Sequence, residues 1–274
     1  MKVDFHCHTN ASDGSLSPMA IIDLAVDKQL AMLAITDHDT TAGFEAAFDY
    51  ALDKGLHLIS GVEMSVMWQG RSIHIVGLNV DVNNAALQTF LASIRESRWQ
   101  RVEMINQKLI KRGHPCLLDR VRQMVGEGVV ARPHVADVLI ERGYVKDIQQ
   151  AFDRFLKNGR PAYVAESWPA LAEGVKRITE AGGVAVMAHP EKYSMTSRKL
   201  NLMLTDFAAA GGKGIEVVTS PYRTSTSVGM ADRAKRYGFY ASMGSDFHNP
   251  NHKWRNLGWL ADLPDGVTPI YQAW

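Results

Sequence analysis

The sequence predicts an α/β barrel interrupted by a helical insertion, and three observations carry that reading. Short apolar strand-like runs alternate with amphipathic helical runs from the start of the chain to about residue 80 and again after Tyr163, which is the pattern of β/α units around a parallel sheet. Between them, from about Asn84 to Asn158, the alternation stops and the apolar spacing is helical. Histidines and carboxylates recur at or just after the strand-like runs, and in a closed parallel barrel every strand exit opens onto one face. A chain of 274 residues is an ordinary size for a single barrel with an insertion.

The elements follow in order. Lys2–His8 reads as the first strand. Ser17-Pro18 reads as an N-cap and a first-turn proline, opening a helix with Ile21, Ile22, Leu24 and Ala25 on its apolar face. Met32–Thr36 is the second strand, Ala42–Lys54 a helix stopped by Gly55, and Leu58–Glu63 and Ser72–Leu78 two further strands, all expected to lie in parallel units. Ala85–Arg112 carries Leu87, Phe90, Leu91, Ile94, Val102, Ile105 and Leu109 at helical spacing and is closed by Gly113. Arg132–Arg142 and Asp147–Leu156 read as two shorter helices. After Tyr163 come helices at Ala170–Ala181, Lys199–Ala210 and Ser225–Tyr237, with strands at Val184–Ala188, Gly214–Val218 and Phe239–Met243. The expected organisation is a barrel built from residues 1–83 and 159–274, with 84–158 as an inserted helical subdomain that caps the substrate.

The formal net charge is +1, which excludes the broad basic field of extended nucleic-acid binding. A phosphate-bearing partner must therefore be held by local arginines. Cys7 and Cys116 are the only cysteines, so no disulfide framework is implied. The opening Met1-Lys2-Val3-Asp4-Phe5-His6 lacks the basic start and apolar segment of an export signal, and no apolar run approaches the roughly 20 residues of a bilayer span. A cytoplasmic protein is expected, with no membrane association and no obligate protein partner.

The chemistry lies in the recurring ligand types. On a strand alternate residues share a face, so His6 and His8 point one way and Cys7 the other, as a small buried hydrophobe. Asp13, His38, Glu63, His74, His189, Asp246 and His248 complete a set of nine. At four to six ligands per ion, with carboxylates bridging, nine groups point to two or three metals with positions open to water and substrate. Imidazoles and carboxylates without thiolates suit Mn²⁺, Fe²⁺ or Zn²⁺. Glu216, on the strand at 214–218, reads either as support for a ligand or as half of a buried ion pair. Trp99 or Trp168 offers a ring for stacking a base, and the other tryptophans, Trp254 among them, read as packing.

The motifs H-x-H at 6–8, T-D-H-D at 36–39, G-V-E at 61–63, H-I-V-G at 74–77, A-H-P at 188–190 and G-S-D-F-H at 244–248 together resemble the polymerase-and-histidinol-phosphatase (PHP) family, over nearly the whole chain. Ser93–Arg101, Arg132–His134, the 159–168 segment and the stretch from Gly244 onward resemble, within it, the bacterial subgroup of 3′,5′-nucleoside bisphosphate phosphatases and the 5′-to-3′ exoribonuclease RNase AM. The resemblance implies a distorted (β/α)7-type barrel with three divalent ions, Mn²⁺ first and Fe²⁺ or Zn²⁺ as alternatives. It assigns one ion to His6, His8, Glu63 and Asp246, a second to Glu63, His74 and His189, and a third to Asp13, His38 and His248. It also implies phosphate binding by Arg98, Arg132 and His134, for which a solvated helix face or a domain-closing ion pair is the alternative, and a catalytic set of Asp13, Glu63, Asp246 and His134. Two positions depart from the family: Ala131 stands where a hydroxyl residue is usual, and Asp137 where an arginine is.

The function implied is in-line hydrolysis of the 3′-oxygen–phosphorus bond of a 5′-phosphorylated nucleotide, with a small nucleotide or a 5′-phosphorylated RNA end as the partner. Two alternatives stand beside it. One is a phosphatase of a small metabolite such as histidinol phosphate. The other is a non-catalytic metal-binding regulatory module, against which the complete ligand set weighs. Hydrolysis of a C–N bond, which similar barrels perform, lacks a convincing bridging lysine at a strand end.

Overall fold

The computed structural model describes residues 1–252 and 255–274, so Trp254 lies outside the described residues. Seven strands follow one another around the sheet in chain order: β1 (Val3–Asp4), β2 (Met32–Ile35), β3 (His57–Trp68), β4 (Arg71–Leu78), β5 (Val184–Met187), β6 (Gly214–Val218) and β7 (Tyr240–Met243). The ring is nearly closed by the segments after its two end strands. Phe5 N–H donates to Met243 O at 3.0 Å, Asp246 N–H to His6 O at 2.8 Å and His8 N–H to Phe247 O at 2.9 Å.

One expectation is corrected here. β3 and β4 are not successive parallel units; they pair antiparallel from Gly61↔Leu78 to Trp68↔Arg71, and β4 also runs antiparallel to β5. The cause is the two-residue connection Gln69-Gly70, with φ of 45° and 73°, the left-handed pair that a tight hairpin needs to follow strand twist. A crossover between parallel strands needs about a dozen residues or more, and only Gln69 and Gly70 lie between these two. β3 consequently runs past Glu63 to Trp68. His74, near the start of β4, sits at the end of the sheet that β3 reaches as it leaves, which returns it to the same mouth.

The helices are α1 (Pro18–Asp27), α2 (Ala42–Asp53), α3 (Ala85–Ile110), α4 (Leu118–Val125), α5 (Arg132–Glu141), α6 (Ile148–Ala151), α7 (Leu171–Glu180), α8 (Ser197–Ala209) and α9 (Ser225–Tyr237). Ser17 caps α1 by accepting from Ala20 N–H, with Pro18 in the first turn. α4 is not anticipated from the sequence, since only Val121 and Val125 of its residues are buried. α6 runs into a π-helical turn at Phe152–Leu156.

Separate apolar clusters organise the molecule. One joins β3–β7 to α7, α8, α9 and the first half of α3. A second lies under α1 and α2 and takes in Cys7, whose side chain is turned into the helical layer. A third draws on β1–β5 and on Ile270 near the C-terminus. The helical stretch has its own cluster, running from Val102 to Ala162. α3, roughly 39 Å long at 1.5 Å per residue, belongs to both halves: Leu87, Phe90, Leu91 and Ile94 pack on the barrel, and Val102, Ile105 and Leu109 in the helical cluster. Among the described residues no helix is long and apolar enough to cross a membrane.

Candidate metal centre

All nine ligand-type side chains meet at one mouth of the ring. His6 Nε2 and His8 Nε2 lie 3.2 Å apart. Both face Glu63 Oε2, at 3.3 and 3.2 Å, and Asp246 Oδ1, at 3.6 and 3.3 Å. The other oxygen of Glu63 takes His74 Nδ1 at 2.9 Å and His189 Nε2 at 2.8 Å. His38 joins the two halves, with Nδ1 at 3.1 Å from Glu63 Oε2 and Nε2 at 3.8 Å from Asp13 Oδ2. His248 Nε2 is 3.3 Å from Asp13 Oδ1. Three groups have ligand atoms mutually within 4.8 Å: His6, His8, Glu63 and Asp246; His8, Asp13, His38 and His248; and His38, Glu63 and His74.

The packing fits divalent cations. Buried polar atoms are nearly always hydrogen-bonded, yet eight such side-chain atoms are without partners among the described residues. Five of them are His8 Nδ1, Asp13 Oδ1, His38 Nδ1, Glu63 Oε2 and His189 Nδ1. His8 Nδ1 lies 3.8 Å from Asp13 Oδ1 and His38 Nδ1 3.1 Å from Glu63 Oε2 without forming aligned hydrogen bonds, an arrangement that positive charge at the cluster relieves. The electrostatics agree. Burial pushes the carboxyls of Glu63 and Asp246 up, but the surrounding imidazoles outweigh it and hold both well below the usual range. Burial likewise depresses His8, while its hydrogen bonds to Asp246 and Glu63 raise it to about 10. The cluster therefore attracts positive charge.

Neighbouring residues fix the ligands. Glu216 resolves as support: Oε1 accepts from His6 Nδ1–H at 2.6 Å, leaving Nε2 free to face the cluster, and Oε2 accepts from His189 N–H at 2.5 Å. Asp37 accepts from Thr9 N–H and Thr9 Oγ1 at 2.7 Å each and from Ser12 Oγ at 2.6 Å, pinning the loop that carries Asp13. His189 and Asp246 have φ of 27° and 53°, left-handed conformations that cost side-chain-bearing residues of order 1–3 kcal/mol and collect at functional sites. Gly244 must lack a side chain, because a Cβ there would stand 2.2 Å from His6 Cβ.

Beside the cluster opens a cleft of about 220 Å³, lined by Asp13, His38 and His74 on one side and by Arg98, Arg101 and Arg132 on the other. Arg98 is buried. Its Nε donates to Asp39 Oδ2 at 2.7 Å, Nη2 to Ser65 Oγ at 2.8 Å and Nη1 to Val130 O at 3.4 Å, which leaves two of its five donors. Arg132 lies over the Phe152 ring at 5.4 Å and pairs with Glu166 at 3.3 Å. His134 is half-buried at the start of α5, where Nδ1 accepts from Ala131 N–H at 3.0 Å. That bond puts the proton of the neutral ring on Nε2, and burial keeps the ring below its ordinary pKa.

Sequence reasoning missed Arg101, which reaches the same Glu166 at 2.7 Å. It also missed Asp39, Ser65, Glu166, Lys192 and Arg255. The base-stacking reading of Trp168 is corrected: Arg98 and Arg101 lie over its ring at 5.2 and 5.8 Å, and its Nε1–H donates to Ser72 Oγ at 3.1 Å. Trp99 likewise carries Arg122 at 5.5 Å.

Comparison with known proteins places these residues among relatives. The family model for the PHP domain matches residues 4–162. A 3′,5′-nucleoside bisphosphate phosphatase from Chromobacterium violaceum is 39% identical over 272 residues, covering 99% of this chain and 95% of that protein. The 5′-3′ exoribonuclease Rnm of Escherichia coli is 37% identical over 273 residues, covering 99% and 93%. Among solved structures, an amidohydrolase from Chromobacterium violaceum with bound sulfate and no metal superposes with a TM-score of 0.90 at 37% identity, over 100% of this chain and 95% of that one.

Proposed function

The chain belongs to the PHP domain family, and from that premise we propose that it is a metal-dependent phosphoesterase cleaving the 3′-oxygen–phosphorus bond of nucleotides that carry a 5′-phosphate. One observation carries the reading: buried imidazoles and carboxylates with unpartnered atoms stand beside a cleft walled by three arginines. The relatives' names, a bisphosphate phosphatase and a 5′-3′ exoribonuclease, describe one bond in two settings. A terminal 3′-phosphate leaves as inorganic phosphate. An internal diester yields a 5′-mononucleotide and a shortened RNA that again bears a 5′-phosphate.

Three divalent ions, Mn²⁺ foremost, are assigned to His6, His8, Glu63 and Asp246; to Glu63, His74 and His189; and to Asp13, His38 and His248. When bound they supply Lewis-acid stabilisation of phosphoryl charge and a water of lowered pKa. The chain's own residues do the rest. Arg98, Arg101 and Arg132, with the N-terminus of α5, hold the 5′-phosphate as charge-assisted donors and so place the 3′-phosphorus over the ligand cluster. His134, neutral with its proton on Nε2, is assigned as hydrogen-bond donor to the departing 3′-oxygen. The helices of residues 84–158 form a cap that closes over the nucleotide. Similarity to an amidohydrolase does not favour C–N chemistry, because Lys192, the lysine beside the cluster, pairs with the outer oxygen of Asp246.

The test is product analysis with Mn²⁺-loaded protein on adenosine 3′,5′-bisphosphate and on 5′-phosphorylated RNA, each beside its 5′-hydroxyl counterpart. Adenosine 5′-phosphate and 5′-mononucleotides are expected, and equal turnover of the 5′-hydroxyl substrates would sink the reading. Elemental analysis is expected to give three ions per chain, and two after Asp13→Ala with His248→Ala.

A further inference from the structure

We propose that Lys192 and Arg255 form a second phosphate subsite, which holds the phosphate one nucleotide beyond the bond being cleaved; this rests on the function proposed above. Asp246 divides its two oxygens. Oδ1 faces His6, His8 and His248. Oδ2 turns outward and takes both Lys192 Nζ and Arg255 Nη1, the latter at 3.0 Å. Two cations thus share one carboxylate oxygen whose other oxygen serves the ligand cluster, which leaves surplus positive charge at the outer edge of the site.

Spare donors accompany the charge. An ammonium offers three N–H donors and a guanidinium five, and among the described residues the contact with Asp246 is the one hydrogen bond each side chain makes. Their side chains are 29% and 41% exposed, so both reach solvent. Glu191, the acidic neighbour of Lys192 in sequence, is engaged elsewhere, with Oε1 accepting from Thr219 Oγ1 at 2.9 Å.

The topology puts this pair opposite the arginines. Lys192 lies on the 3₁₀ turn Pro190–Tyr193 that follows β5, and Arg255 on the segment after β7. The arginine wall instead meets the β2–β3 side, where Arg98 bonds Asp39 and Ser65. The ligand cluster therefore has a cationic pole on each side. A nucleoside bisphosphate, with its 5′-phosphate at one pole and its 3′-phosphate over the ligands, has nothing to offer the other. An oligonucleotide does, since its next phosphate continues across the cluster. The second pole makes the chain a better match for an RNA end than for a mononucleotide.

The experiment compares pApA with pApAp, which differ by that one phosphate, for the wild type and for Lys192→Gln, Arg255→Gln, the double variant and Lys192→Arg. KM is measured for cleavage, and anisotropy gives binding under conditions without turnover. The wild type is expected to favour pApAp by about tenfold, the scale of a hydrogen bond between charged groups; the double variant should bring the ratio close to one, and Lys192→Arg should preserve it. A wild-type ratio near one, or a ratio unchanged in the double variant while all substrates slow by the same factor, would overturn the subsite and leave the pair as supports for Asp246. A wild type that cleaves neither compound would instead refute the proposed function, and the binding ratio would still decide the subsite.

Discussion

Replacing Asp39 by alanine tests whether the barrel and the helical segment are joined at one buried ion pair. Asp39 is fully buried, with φ of 51°. Its Oδ2 accepts from Arg98 Nε and its Oδ1 from Ser65 N–H, both at 2.7 Å, while its backbone oxygen accepts from Arg95 Nη1 at 2.9 Å. The alanine variant keeps the backbone contact and strands a guanidinium that is 9% exposed. Removing one partner of a buried pair costs about 3–5 kcal/mol, and an unpartnered Ser65 N–H adds about 1–3 kcal/mol. Because Arg98 can shift toward the cleft and recover part of this, we take about 4 kcal/mol, a large share of a typical stability of about 5–15 kcal/mol. At about 2–4 °C per kcal/mol for chains approaching this size, Tm falls by about 8–16 °C in a melt followed by near-UV circular dichroism. Asp39→Ala with Arg98→Met removes the stranded charge and should recover about 2 kcal/mol. Divalent-ion affinity should fall about 10- to 100-fold in Asp39→Ala, since Asp39 Oδ1 accepts from Ser65 N–H at 2.7 Å and so holds β3 two residues beyond Glu63. A variant within about 1 kcal/mol of wild type, or a double variant equal to the sum of the singles, refutes the junction.

Two further outcomes follow from the rim of the cleft. Ala131 occupies the N-cap of α5 with extended backbone, φ −138° and ψ 167°, and no side-chain cap; Ala131→Ser should stabilise by about 1 kcal/mol and raise Tm by about 2–4 °C in a thermal melt, and a lowered Tm would show that the loop cannot use the hydroxyl. Burial pushes the Glu166 carboxyl up, but Arg101 and Arg132 outweigh it and hold it below its ordinary 4.5. A depressed acid contributes its stability in full above that value and loses it as pH falls through the lower folded one, so the Tm gap between wild type and Glu166→Gln should be widest above pH 4.5 and close in stronger acid. A gap that widens on acidification would reverse the sign and refute the pairing.

Seven of the nine ligand-type residues were legible because each is a chemically distinctive type following a strand exit, and exits converge whatever lies between them in sequence; Glu63 stands within β3 and His74 near the start of β4, and the antiparallel hairpin brings both to the same mouth. The antiparallel turn at Gln69-Gly70 was not, since apolar alternation in Ser72–Leu78 is the same in either direction; the short gap before it was the available signal. Arg98 shows a different limit. The resemblance implied a phosphate contact, with a domain-closing ion pair as the alternative; three of the arginine's donors are engaged, one of them with Asp39, and which partner an arginine takes across the fold leaves no trace in a single sequence. Glu166 and Arg101 were hidden likewise: an acid 65 positions from its arginine is indistinguishable from a solvated surface charge until the chain folds. Trp168 read as a base platform because aromatic rings suit one, yet its ring carries Arg98 and Arg101.

The segment Thr36–Asp39 shows why so few residues can specify so much of the site. β2 ends just before it, and its four side chains go to four different tasks. Thr36 Oγ1 donates to Cys7 O at 3.2 Å, tying this exit to the strand that carries His6 and His8. Asp37 grips Thr9 and Ser12 and so sets Asp13. His38 bridges Glu63 and Asp13, and Asp39 fastens Arg98. Two of the four, Asp37 and Asp39, are buried carboxylates hydrogen-bonded to protein groups, so moving either one disturbs its partners together. The ligand loop, the metal cluster and the arginine wall are therefore coupled through one strand exit. Loss of the Asp39 contact should accordingly lower stability and divalent-ion affinity in the same variant, whereas loss of Arg132, which is anchored on α5 and outside this network, should weaken substrate binding and leave divalent-ion affinity unchanged.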